Sequence, residues 1–155
     1  MSSLDSQSPN MRSASSHKGL HALLAGLSGV DQVGAEARAA ALGTRSIKKE
    51  SKVWAIDTAI SMVDLTTLEG ADTVGKVTAM CSKALHPDPT NPSTPSVAAV
   101  CVYGDLVPAA REVVGDRIHV AAVATAFPSG RASLGVKLLD TREAVAAGAD
   151  EIDMV

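Results

Sequence analysis

From about Ile60 onward the chain alternates short apolar runs with amphipathic stretches, and this alternation constrains the fold more than any other feature. The apolar runs are "SMVDL", "VAAVCVY", "RIHVAAVATAF" and "DEIDMV". Helix-like stretches separate them, joined by short links apart from the loop "HPDPTNPSTPS", whose prolines exclude regular structure. A β-α-β-α-β-α-β order predicts a parallel sheet with right-handed crossovers and helices on its outer face.

Two architectures fit that order, an open doubly wound sheet and part of a (β/α)8 barrel. An open nucleotide-binding sheet carries a glycine-rich turn after its first strand. Here "SMVDL" is followed by "TTLEGAD", which has neither a GxGxxG pattern nor a Walker lysine. The reading is therefore the N-terminal half of a (β/α)8 TIM barrel, with four parallel strands and three helices, over residues 51–155.

Local signals place the three helices. In "ADTVGKVTAMCSKAL", Asp72 or Thr73 can cap, Val74, Val77, Cys81 and Leu85 form the apolar stripe, and Lys76 and Lys83 lie opposite. Asp105 can cap the second helix, with Pro108 in its first turn and Gly115 at its end. Ser133 caps the third, which stops at Gly148. Residues 1–50 read as an extension: a Ser-rich disordered tail over residues 1–18, an Ala-rich helix from about Asp31 to Leu42 ending at Gly43, then the basic run "RSIKKESK", a solvated helix face or linker.

Composition narrows the class. Apolar residues are 46% of the 155, but aromatics only 2%, so the core is built from Val, Ala, Leu and Ile. A net charge of −3, with no basic stripe, argues against nucleic acid as a partner. No apolar run approaches the roughly 18 residues of a membrane span, and the N-terminus lacks the apolar core of a secretory signal. Cys81 and Cys101 lie in apolar contexts outside any CxxC pair, and read as buried, reduced thiols of a cytoplasmic protein.

The chemistry-bearing residues are aspartates inside strands. In "EIDMV", Ile152 and Met154 point one way and Glu151, Asp153 and Val155 the other. If Val63 and Leu65 face the helices, Asp64 faces the barrel interior, as Asp153 does. Both are expected near the C-terminal ends of their strands, where barrel enzymes carry their catalytic groups. An unpaired carboxylate in an apolar strand is costly. The bland alternative is a structural role, each accepting hydrogen bonds from backbone or from hydroxyls such as Thr66 and Thr67.

The segments "DLTTL", "AAVCVY", "VATAFPSG" and "TREAVAAGADEIDMV", in that order from about Lys48 to Val155, resemble the first half of deoxyribose-phosphate aldolase. "IKKE" and the linker before "DLTTL" resemble the longer-N-terminus branch of that family. The resemblance implies a (β/α)8 barrel with neither metal nor organic cofactor. It implies reversible cleavage of 2-deoxyribose 5-phosphate to acetaldehyde and glyceraldehyde 3-phosphate through a lysine Schiff base. On the same footing, Asp153 matches the proton-relay aspartate. Asp64 and Thr66 match polar residues lining the substrate pocket, and Cys101 a cysteine near the substrate. The implied partner is a small sugar phosphate, and the resemblance leaves room for a homo-oligomer of the full-length enzyme.

No lysine here sits in a strand. Lys18 lies in the tail, Lys48, Lys49 and Lys52 in the basic run, and Lys76, Lys83 and Lys137 on helices. In the family the Schiff-base lysine, the proton-handling lysine and most of the phosphate site come from later strands. The expectation is a fragment that is inactive alone and exposes two unpaired strand edges. The alternatives are another class I or phosphate-binding barrel enzyme, and a non-catalytic α/β interaction protein.

Overall fold

A computed structural model describes residues 17–155, so the expected disorder of the Ser-rich tail lies, but for its last two residues, outside the described residues. The chain forms two compact units, one up to Ser46 and one from Ile47 to Val155. In the first, α1 (His17–Ala25) and α2 (Gln32–Gly43) are helical. Asp31 caps α2 by accepting from the Gly34 amide at 2.9 Å.

The second unit opens with α3 (Lys49–Ser61), built from the later half of the basic run and the residues after it. Then follow β1 (Asp64–Thr66), α4 (Val74–Leu85), β2 (Ala99–Tyr103), α5 (Val107–Val114), β3 (His119–Ala124), α6 (Leu134–Ala146) and β4 (Glu151–Met154). The four strands pair in parallel in the sequential order β1-β2-β3-β4.

The two faces of the sheet differ. Leu65, Val100, Val102, Val120, Ala122 and Ile152 pack with Val77, Cys81 and Ala84 of α4, Val107, Ala110 and Val114 of α5, and Ala144 of α6. The other face carries a smaller cluster, Cys101, Ala121 and Val123, against which, among the described residues, Leu68, Tyr103 and Phe127 pack. Sequential strand order with helices on one face is the arrangement of half a (β/α)8 barrel; a doubly wound sheet reverses its order and covers both faces.

Three local expectations change. "SMVDL" is divided: α3 runs to Ser61 and the strand begins only at Asp64. The Met62 and Val63 amides bond back to the Ala59 and Ile60 carbonyls, so these donors complete the helix end instead of joining the sheet. On α4, Val74, at the first helical position, is 59% exposed, and Ala84 is buried in its place. Asp105 does not cap α5. It lies in a 3-10 turn over Gly104–Leu106, and Leu106, packed into the core, takes the cap position without a side-chain bond. Thr73 and Ser133 do cap, accepting from the amides of Lys76 and Val136.

Candidate active site

Register sets the site. Thr66, Cys101, Ala121 and Glu151 form one ladder row; Asp64, Ala99 and His119 form the row two residues before it; Tyr103, Val123 and Asp153 the row two residues after. Side chains two apart on a strand share a face, so all three rows lie on the face turned away from the helices. The four residues expected at the site, Asp64, Thr66, Cys101 and Asp153, are therefore brought to one surface.

They do not stand at one level. Asp153 pairs with Val123 near the C-terminal end of β3, as expected, whereas Asp64 is the first residue of β1. The cause is the helix end at 62–63, which delays the strand. The two aspartates also occupy the opposite edge strands, three strand spacings or about 14 Å apart across the strands of a flat sheet, besides their difference in level along them. Cys101 lies between them.

Electrostatics agree with that geometry. The Cys101 thiol is pushed above its ordinary value, first by burial and then by the negative charges of Asp153 and Asp64, with Glu151 adding to them. A hydrogen bond with Thr66 acts in the opposite direction. A thiol so placed stays protonated at neutral pH and is a poor nucleophile. The Thr66 hydroxyl also donates to the Asp64 backbone carbonyl at 3.0 Å.

The hydroxyls named in the bland alternative do not serve the Asp64 carboxylate. Thr67 donates instead to Asp72, at 2.9 Å to one oxygen and 3.1 Å to the other. Asp72 also accepts from the Glu69 amide at 3.0 Å and from the Lys76 ammonium. Asp72 reads as a helix cap in the sequence; in the structure it closes the β1–α4 loop, and nothing local distinguishes the two uses.

At the C-terminal end of the sheet, Tyr103 and Phe127 pack edge to face, with ring centres 6.4 Å apart. They help line a cleft of about 500 Å³ that also borders Asp105, Asp140 and Glu143. Lys137, on α6, reaches the Val155 carbonyl at 3.3 Å and is the lysine that approaches the end of β4. His119, which the sequence leaves without a role, sits 2.5 Å from Glu151 on the site face. Among the described residues no three His, Cys, Asp or Glu side chains converge as a metal-binding group. No helix among them is long and apolar enough to cross a membrane.

No family model matches the chain. Solved structures do match its fold. A protein assigned as a deoxyribose-phosphate aldolase from Coccidioides immitis shares 25% identity at a TM-score of 0.54, over 64% of this chain and 36% of that one. Another with the same assignment, from Toxoplasma gondii, shares 25% at 0.55, over 66% and 37%. The deoxyribose phosphate aldolase of Aeropyrum pernix, described as a tetramer, shares 21% at 0.54, over 63% and 38%. The chain thus spans little more than a third of the length of the structures it matches. In its fold, this chain is similar to part of the barrel of the deoxyribose-phosphate aldolases.

Proposed function

We propose that this chain forms the first half of the active-site barrel of a class I aldolase. The proposed reaction is the reversible cleavage of 2-deoxyribose 5-phosphate to acetaldehyde and glyceraldehyde 3-phosphate. The observation that carries the reading is that Asp64, Thr66, Cys101 and Asp153 share the one sheet face free of helices.

In this reading an amine condenses with the substrate carbonyl, and the iminium accepts the electron pair released as the carbon–carbon bond breaks. Carbinolamine dehydration, bond cleavage and imine hydrolysis each move a proton. Asp153, at the C-terminal end of β4, takes up and returns those protons, directly or through one water; such a group contributes roughly 10²–10⁴-fold. Asp64 and Thr66 hold substrate hydroxyls, and Cys101 packs beside them as a neutral thiol. A phosphorylated sugar is the small-molecule partner.

The chain's seven lysines lie on helices or flank them, none on a strand. The reading therefore takes its amine from polypeptide outside residues 1–155, and these residues alone have no aldolase activity. Incubation of this chain with 2-deoxyribose 5-phosphate and borohydride tests that point: no adduct is expected, and substrate trapped on any of the seven lysines overturns it. In the full-length protein, Asp153→Asn is expected to lower kcat by 10²–10⁴-fold with an unchanged circular dichroism spectrum. Full turnover with altered stability would instead favour a structural carboxylate.

A further inference from the structure

The β3–β4 ladder ends at the pair Ala124 and Met154. Beyond it the β3 backbone enters the left-handed region at two consecutive non-glycine residues, Thr125 at φ 65° and Ala126 at φ 62°. The main chain thereby turns away from β4, and the Val155 amide and carbonyl lose the backbone partners that a continuing strand would supply. A β-branched residue in that region is strained and persists only where its surroundings hold it.

Two bonds do so. The Asp140 carboxylate of α6 accepts from the Ala126 amide at 3.0 Å. The Thr125 hydroxyl, nearly buried, accepts from the Val155 amide at 2.8 Å and donates to the Val155 carbonyl at 3.0 Å. One hydroxyl has one proton and two lone pairs, so it can serve both groups of the same residue. Thr125 thus extends the ladder one step with a side chain while its own backbone leaves.

We propose that Thr125 is a positioning residue for Asp153. The inference rests on the reading of Asp153 as the proton-handling carboxylate. Val155, the residue just past β4, lies two positions after Asp153. Among the described residues, Asp153 is thus followed two positions on by a backbone unit that the Thr125 hydroxyl bonds at both its amide and its carbonyl. Without that hydroxyl the Val155 backbone loses both of these bonds and the carboxylate two residues before it is less firmly oriented; a displacement of about 1 Å in such a group costs on the order of 10²-fold in rate.

The test uses the full-length protein, with kcat and KM measured for cleavage of 2-deoxyribose 5-phosphate. Thr125→Val keeps shape and β-branching but removes both bonds, and is expected to lower kcat by about 10–100-fold with KM nearly unchanged. Thr125→Ser keeps both bonds and is expected to retain kcat. Adding Thr125→Val to Asp153→Asn is expected to cost almost nothing further, because residues acting as a unit are non-additive. If Thr125→Val does not fold, Thr125→Ala replaces it in each comparison. An impaired Asp153→Asn beside an unimpaired Thr125→Val, or fully additive losses, would overturn this inference alone. Full turnover in Asp153→Asn would overturn the reading of Asp153 and this inference with it.

Discussion

The Thr67 hydroxyl and the Asp72 carboxylate meet at 2.9 Å, and that bond closes the loop leaving the strand that carries Asp64 and Thr66. Asp72 is 1% exposed at its side chain and serves three donors from three residues. Its carboxyl is held below the ordinary carboxylate value, chiefly by the Lys76 hydrogen bond, against the opposing effect of burial and with help from Thr67 and the Glu69 amide. A carboxylate lowered on folding stabilises the fold above its unfolded value of 3.8, and that contribution disappears as pH falls through the lower folded value. Asp72→Asn is expected to lower the melting temperature at pH 7 and to flatten its decline below pH 4. Parallel acid melting curves for the two proteins would count against the assignment.

His119 and Glu151 form the opposite case. The imidazole is raised above 6.5, first by its hydrogen bond to Glu151, with burial acting against it. A base raised on folding stabilises fully below its unfolded value, and the contribution is lost as pH climbs through the folded one. Stability should therefore decline as pH rises above 6.5, and Glu151→Gln should remove that part of the decline. Proton NMR titration of the His119 ring checks the direction; a midpoint at or below 6.5 would refute the pairing.

Arg111 ties two helix ends to the start of β4. Its guanidinium donates to the Gly148 carbonyl at 2.7 and 3.2 Å and to the Gly115 carbonyl at 2.7 Å, and it pairs with Asp150. Asp150 in turn accepts from the Val120 amide at 2.8 Å, linking β3. Arg111→Ala removes the side-chain partner of two carbonyls and one of the partners of the Asp150 carboxylate, and is expected to cost about 1–3 kcal/mol in urea unfolding. Arg111→Lys should recover little of this, because an ammonium lacks the planar fork that reaches several acceptors at once.

Cys101 should resist alkylation. Its thiol is buried between carboxylates and raised in pKa, so little reactive thiolate forms near neutral pH. Iodoacetamide at pH 7.5 should modify it at least about tenfold more slowly in the folded chain than in denaturant. Equal rates would show that the face around Cys101 is open.

Much of the fold can be read from local pattern. The period-two alternation in "EIDMV" placed Ile152 against the helices and Asp153 on the other face, where the register has them. Thr73 and Ser133 announce their helices because a cap bonds an amide three residues on. The site face follows from the same alternation, since one strand residue fixes the side of its neighbours.

What no window of sequence held is the set of bonds between distant segments. The start of β1 at Asp64 depended on whether the amides at 62 and 63 would serve a helix or a sheet, and their own side chains favour neither. Asp72 reads equally well as a cap or as the centre of a loop. The role of Thr125 needs Val155, thirty residues away, brought alongside. The amino-acid order by itself determined the alternation of strands and helices from β1 onward and which strand residues share a face, because those depend on neighbours within a turn or two, but it did not announce α1 or the helical start of "SMVDL". Tertiary packing alone decided where β1 begins and which hydroxyl or carboxylate satisfies which stranded backbone group, because a hydrogen bond's partner is chosen by position in space.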